Sequence, residues 1–267
     1  MTEYNCKNGL IAWIGGKKLL RKTISKYIPT DIKTYIEPFG GGAWVLFYKD
    51  KWADLEIYND LDGRLVNLFR IVKYHPKAFK DEFKYLLGSR EIFKQYLNGT
   101  FITDIQKAVQ FFFIITRSFG SNGSTFGVAK RVHGGACRSQ ITVLDKIDGI
   151  HKRLDKVLIE NKDFESLIKD YDFEGAFFYC DPPYSTGAGY KTTSTKDFEH
   201  ERLRDVLKNI KGRFLLSYDD SPKIRELYKD FEIIEVSRYN GINHKPEANL
   251  NKTYKELIIA NYPIKNV

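Results

Sequence analysis

The chain has 267 residues, of which 42% are hydrophobic and 15% aromatic, and its 43 Lys and Arg outnumber 34 Asp and Glu for a formal charge of +9. A substantial core in one or two domains is therefore expected, while no stretch nears the ~20 apolar residues of a membrane-spanning helix and the start carries no signal-peptide pattern, so a soluble intracellular chain without membrane attachment is expected. Cys6, Cys137 and Cys180 are widely spaced, with no Cys-x-x-Cys and no histidine ligand motif, which predicts neither a disulfide framework nor a metal site; the distributed positive charge suits an extended polyanion.

In chain order, Trp13-Ile14-Gly15-Gly16-Lys17-Lys18 puts two glycines and two lysines between an apolar stretch and the amphipathic run 19–24, which reads as helix. Such a loop can approach a ligand closely. Thr34-Tyr35-Ile36-Glu37 reads as a buried strand, followed by Pro38-Phe39-Gly40-Gly41-Gly42 and an apolar helix over 43–48. The glycines lack the G-x-G-x-x-G spacing of a dinucleotide site, although a nucleoside can still pack there. A second strand over 56–60 ends at Asp60, where doubly wound folds commonly hold a ribose; the alternative is a helix cap ahead of 61–72.

From 74 to 148 the pattern turns helical, over 78–87, 90–97 and 104–115, with no parallel-type strand between, which predicts a separate insert. It contains Arg117-Ser118-Phe119-Gly120 and, after the hairpin signal Asn122-Gly123, the basic pair Lys130-Arg131, a composition that suits a DNA groove or the gap left by an extruded base, and equally a plain surface loop. The expected division is a cofactor-side catalytic part over 1–73, the helical insert over 74–149, and an acceptor-side catalytic part over 150–267.

Beyond the helix 144–154 come a strand over 157–161 leading to Asp163-Phe164, a helix over 165–170, and the apolar strand that ends at Tyr179-Cys180-Asp181-Pro182-Pro183-Tyr184. The two prolines fix φ and donate no N–H, so the corner is rigid and rich in acceptors. It suits a planar amino group held by two hydrogen bonds, with the Tyr184 ring lying against a flat substrate. Cys180 falls on the strand and reads as core. A loop over 187–191, a helix over 198–210 with Asp197 as N-cap, a strand over 213–218, a helix opened by Pro222, and strands over 232–236 and 254–260 separated by a long turn complete an α/β sheet. If the strands are mostly parallel, Gly40–Gly42, Asp60, Asp163-Phe164 and Asp181–Tyr184 converge on one cleft at their carboxyl ends, where open α/β sheets bind ligands.

In this order, Trp13-Ile14-Gly15-Gly16-Lys17, Glu37-Pro38-Phe39-Gly40-Gly41-Gly42, Asn59-Asp60, Asp163-Phe164 and Asp181-Pro182-Pro183-Tyr184 resemble the Dam-type DNA adenine methyltransferases of bacteria and phages, in the alpha group of amino-methyltransferases. The resemblance implies a Rossmann-like S-adenosyl-L-methionine-dependent methyltransferase sheet with a mostly helical target-recognition insert. It implies S-adenosyl-L-methionine as methyl donor without a metal, and transfer to the exocyclic N6 of a flipped adenine in double-stranded DNA. Trp13, Lys17, Glu37, Phe39, Gly40, Gly42, Asp60, Asp163, Phe164 and Asp181 would surround the donor; Asp181, Pro182, Pro183 and Tyr184 would hold the base; Arg117, Asn122, Lys130 and Arg131 are the candidate DNA contacts. The setting implied is the cytoplasm of a bacterial or phage-infected cell, and a restriction endonuclease partner is left open. Ala12 and the short 118–127 loop depart from GATC-reading members. The competing readings are a cytosine-N4 methyltransferase, a catalytically silent DNA-binding protein of the same fold, and a methyltransferase acting on RNA or a protein side-chain amide.

Overall fold

A computed structural model describes residues 9–127, 140–184, 198–239 and 253–264. Seven strands, β1 (Thr34–Glu37), β2 (Leu55–Asn59), β3 (Val157–Glu160), β4 (Ala176–Cys180), β5 (Arg213–Asp219), β6 (Glu232–Tyr239) and β7 (Thr253–Ala260), form one sheet in the order β3-β2-β1-β4-β5-β7-β6. Strands β1 to β5 pair in parallel, and β7 enters reversed between β5 and β6, antiparallel to both. The order doubles back between β1 and β4, which opens a crevice at their carboxyl ends, the switch point of a doubly wound sheet. The condition for convergence set by the sequence is met.

Side chains alternate across the sheet because successive Cβ atoms point to opposite faces. Tyr35, Phe177, Tyr179 and Leu215 join the cluster on one face, while Ile36, Phe178, Cys180 and Leu216 join the cluster on the other. Both faces of β4 are therefore covered and all five of its residues are buried, as a continuous apolar run in a parallel strand requires. Cys180 is fully buried among them, as expected. One face is covered by α7 (Phe164–Tyr171), α8 (His200–Lys208) and α9 (Pro222–Leu227), which supply Leu167, Leu203 and Ile224. Pro222 opens α9 at its first turn, where the missing N–H costs nothing.

The other face carries α1 (Arg21–Tyr27), α2 (Gly63–Tyr74), α3 (Pro76–Phe83), α4 (Arg90–Asn98), α5 (Asp104–Arg117) and α6 (Gln140–Leu154). Ser89 caps α4, and Thr103 with Gln106 forms a capping box on α5, so these helices begin where their orphan N–H groups find side-chain acceptors. Phe112 of α5 meets Phe79 and Phe83 of α3 edge-on, with centroids 5.4 and 5.0 Å away. These rings belong to the same buried cluster as Tyr35 and Phe177 of the sheet, so the helices and the sheet share one core on this side.

Two local expectations change. The helix expected over 43–48 is a single 3₁₀ turn, Leu46–Tyr48. Ala43 takes φ +55°, and Lys49 is already extended, so the segment between the glycine loop and the next buried stretch is too short to propagate a helix. The expected hairpin after α5 is a compact turn closed by one antiparallel bridge, Ser118 to Phe126. Its geometry comes from Asn122, whose side-chain Oδ1 accepts from the Ser124 and Thr125 amides at 2.9 and 3.0 Å. Lys130, Arg131, the 187–191 loop, Asp197 and most of the long turn before β7 lie outside the described residues. Among the described residues no helix is long and apolar enough to cross a membrane.

Candidate active site

The loops after β1, β2, β3 and β4 meet over the switch point. Gly40 follows β1 so closely against β2 that an added Cβ would lie 2.2 Å from the Tyr58 ring, and Gly41 takes φ +48°, a conformation that a side chain disfavours. Asp60, just past β2, grips this loop: Oδ2 accepts from the Gly41 amide and Oδ1 from the Asp62 amide, both at 2.8 Å. The helix-capping alternative for Asp60 falls to its neighbour, since Asp62 caps α2 by accepting from Arg64 N at 3.0 Å.

Asn59 fastens three of the loops together. Its buried side chain donates to Pro38 O at 2.9 Å and Lys162 O at 3.0 Å, and accepts from Lys162 N at 2.8 Å. Asp163 caps α7 by accepting from Glu165 N at 3.0 Å, and pairs with Arg202 of α8 at 2.5 Å. The Arg202 guanidinium lies 4.6 Å above the Phe164 ring. Phe39, Phe164 and Phe198 gather within 5.4 to 5.7 Å of one another and form an aromatic wall.

At the corner after β4, Asp181 Oδ1 accepts from Lys17 Nζ at 2.5 Å and from Ser217 Oγ of β5 at 3.0 Å. Among the described residues both bonds fall on Oδ1, which keeps the acceptor capacity of Oδ2. Pro182 is buried, and the Tyr184 hydroxyl donates to Glu256 Oε2 at 2.7 Å. Behind them His200 Nδ1 bonds the Tyr218 hydroxyl, and the Tyr218 ring lies 6.1 Å from Tyr184.

Burial dominates the electrostatics. It pushes the Glu37 carboxyl up to about 8, although the Tyr35 hydroxyl donates to it at 2.7 Å, and it lifts Asp60 to about 6 despite the amides that favour its charged form. Burial also raises Asp181, with Lys17 pulling the other way, and pushes the Cys180 thiol above its ordinary range. A buried, protonated thiol on the apolar side of the strand is no nucleophile.

All ten residues expected around a donor, Trp13, Lys17, Glu37, Phe39, Gly40, Gly42, Asp60, Asp163, Phe164 and Asp181, line one cleft of about 350 Å³, and Pro183 borders it. A second hollow of about 800 Å³ adjoins it through Trp13 and Ile14 and is lined by Asn122 and the exposed cations Arg64, Arg70 and Lys107. Of the expected DNA contacts, Asn122 is exposed, whereas Arg117 is only 3% exposed. Arg117 is drawn into the interior because it ends the buried face of α5, so it does not reach the surface from this position. The sequence reading assigned no role to Ser217, Arg202 or Glu256. The signal for Glu256 was an acid directly before the apolar run Leu257-Ile258-Ile259-Ala260; the positions of Ser217 and Arg202 follow only from the folding of β5 and α8 against the corner.

The fold and cleft define a doubly wound α/β protein with a carboxylate- and glycine-lined cleft beside an acceptor-rich corner. The model of the D12 class N6 adenine-specific DNA methyltransferases matches residues 13–242, and the chain belongs to that family. It is 28% identical to the Type II methyltransferase M1.LlaDCHI of Lactococcus lactis subsp. cremoris, over 94% of each protein. It is 26% identical to the Type II methyltransferase M.CviBI of Paramecium bursaria Chlorella virus NC1A, over 95% of this chain and 99% of that one. The DNA N-6-adenine-methyltransferase of Escherichia phage P1 is 25% identical over 84% of this chain and 31% of its own length.

Proposed function

We propose that the cleft binds S-adenosyl-L-methionine and that the corner at Asp181–Tyr184 holds a flipped adenine of duplex DNA for methylation at N6. The observation that carries this reading is the gathering of Glu37, Asp60, Asp163 and Asp181 with the bare backbone of Gly40–Gly42 in one cleft at the switch point. The donor set fits such a ligand. Carboxylates suit a cationic sulfonium and ammonium, Asp60 keeps acceptor capacity for ribose hydroxyls, and Phe39 and Phe164 offer a flat apolar wall to the donor's base. When bound, S-adenosyl-L-methionine supplies an electrophilic methyl group.

An adenine amino nitrogen is a poor nucleophile because its lone pair is delocalised into the ring. Asp181 and the Pro182 carbonyl accept its two hydrogens, which favours a pyramidal nitrogen and frees the lone pair to point away from them. Asp181, whose affinity for a proton burial has raised, accepts the proton that the methylated nitrogen sheds. Positioning and electrostatics carry the rate, with no covalent enzyme intermediate. Tyr184 lies against the base after it leaves the stack. Arg64, Arg70 and Lys107 around the neighbouring hollow hold phosphates, and Asn122 at its rim reaches a base edge or a phosphate; Lys130 and Arg131, outside the described residues, remain candidate contacts of the same kind. Lys107 and Asn122 belong to the segment 74–149, which serves target recognition between the two catalytic parts, 1–73 and 150–267, while Arg64 and Arg70 join it from the first of these.

Asp181→Ala tests this directly. Methyl transfer to unmethylated duplex DNA is expected to fall by about 100-fold or more, while DNA binding and donor binding stay within a few-fold; near-normal turnover would refute the mechanism. Mass spectrometry of the nucleosides is expected to show N6-methyladenine and not N4-methylcytosine.

A further inference from the structure

Glu256 has no part in the donor cleft, yet it is 3% exposed and placed directly behind the acceptor corner. It lies on β7, the one reversed strand, opposite Asp219 of β5 and Val236 of β6. Its Oε2 accepts from the Tyr184 hydroxyl at 2.7 Å and lies 3.9 Å from Lys17 Nζ. The same ammonium donates to Asp181 Oδ1 at 2.5 Å and stands 4.7 Å from the centre of the Tyr184 ring. Lys17 is itself 5% exposed. Two acids, one ammonium and one tyrosine are thus gathered where little water can stand in for a missing partner.

The arrangement places two constraints on the corner. A tyrosine ring can rotate about its bond to the chain, and a bond at the hydroxyl end restricts it to one plane. An ammonium beside a lone carboxylate can bridge both of its oxygens; a second carboxylate on the far side draws it to one of them. Here Lys17 rests on Oδ1, alongside Ser217. We propose that Glu256 is a positioning residue for methyl transfer, orienting the Tyr184 ring and holding the Lys17 ammonium at Asp181 Oδ1 so that Oδ2 meets the target amino group. The inference rests on the reading of Asp181–Tyr184 as the acceptor-base site and extends it to a residue that does not line the cleft. Glu256 acts through Tyr184 and Lys17.

The test compares Glu256→Gln and Glu256→Ala with the parent enzyme on plasmid DNA prepared from a methylation-deficient host. Calorimetric titration with S-adenosyl-L-methionine counts the folded, donor-competent enzyme, and turnover is expressed per donor site. Gln keeps an acceptor for the Tyr184 hydroxyl but removes the charge that holds Lys17, and is expected to lower kcat about 10-fold; Ala removes both and is expected to lower it about 100-fold, the scale on which small misplacements act. The dissociation constant of the donor and the KM for DNA are expected to change less than about 3-fold. In a Tyr184→Phe background, which lacks the hydroxyl that Glu256 accepts, the further loss caused by Glu256→Ala is expected to shrink, since the two act in part through one bond.

A merely structural Glu256 would lower the melting temperature and the count of donor sites while leaving kcat per site unchanged, and that result would overturn the inference. Should Glu256→Ala fail to fold, parental kcat in Glu256→Gln, which preserves shape, would overturn it equally. A parent enzyme that binds the donor but leaves DNA unmethylated would instead overturn the reading of the corner itself, along with this inference.

Discussion

Burial of Glu37 at the end of β1 makes a single carboxyl responsive to pH. Its folded-state value of about 8 lies above the ordinary 4.5 because desolvation disfavours the charged form more than the Tyr35 bond favours it. The folded chain therefore holds this proton more tightly than the unfolded chain. The resulting stability is fully present below the unfolded value and is lost as pH rises through about 8. Glu37→Gln keeps the shape without the titration. The melting temperature of the ligand-free parent is expected to fall more steeply than that of this variant between about pH 5 and about pH 9; parallel profiles would show that Glu37 does not titrate in this range. The sequence exposed Glu37 as a site candidate through its place before the glycines. Its shifted affinity could not be read there, because the desolvation comes from burial in the folded chain, where Glu37 is only 2% exposed.

At the scale of elements, the site depends on loops whose backbone groups have few partners of their own. Asn59 supplies three bonds at the end of β2, one to the glycine loop through Pro38 and two to Lys162 ahead of α7. Asn59→Ala leaves two carbonyls and one amide short of partners in a buried setting, which is expected to cost about 1–3 kcal/mol in thermal or denaturant unfolding and to weaken donor binding by loosening both loops at once. Unchanged stability and donor affinity would show that the loops hold their places without it. The sequence made Asn59 visible only as part of Asn59-Asp60. A side-chain amide becomes a clamp only when β3 lies beside β2, and residues 59 and 162 are far apart along the chain. The 43–48 segment shows the converse: its apolar composition suggested a helix, but the short span between Ala43 at positive φ and the extended Lys49 leaves room for one 3₁₀ turn.

Across the whole molecule, a buried pair between Glu56 of β2 and Arg153 of α6 ties the last helix of this layer to the sheet. Both guanidinium nitrogens Nη1 and Nη2 donate to the carboxylate at 2.7 Å, and Arg153 also donates to Lys49 O and Leu46 O at 2.9 Å each. Removing one partner strands a charge where water cannot reach it. Arg153→Met is therefore expected to destabilise the chain by about 3–5 kcal/mol, measured by denaturant unfolding, whereas replacing Glu56 and Arg153 together by apolar residues of similar volume should cost less. Equal losses for the single and double replacements would contradict this account. Because α2 to α6 share a buried cluster with β1 and β4, unfolding is expected to be cooperative across the helical layer and the sheet.

The linear order of residues determined where the seven strands run, because central parallel strands are covered on both faces and must be written as short continuous apolar runs such as Ala176–Cys180. It also placed the cleft residues at strand ends, since glycines, Asp-Pro-Pro-Tyr and terminal acids stand directly after those runs. Tertiary structure alone decided which groups complete them: Ser217 and Lys17 on one oxygen of Asp181, Glu256 on Tyr184, Arg202 on Asp163, and the interior position of Arg117. Local pattern records what a residue does to its own backbone and which face it takes. Partners that arrive from β5, β7 and α8 depend on strand order and on the reversal of β7, and neither leaves a periodic trace in the chain.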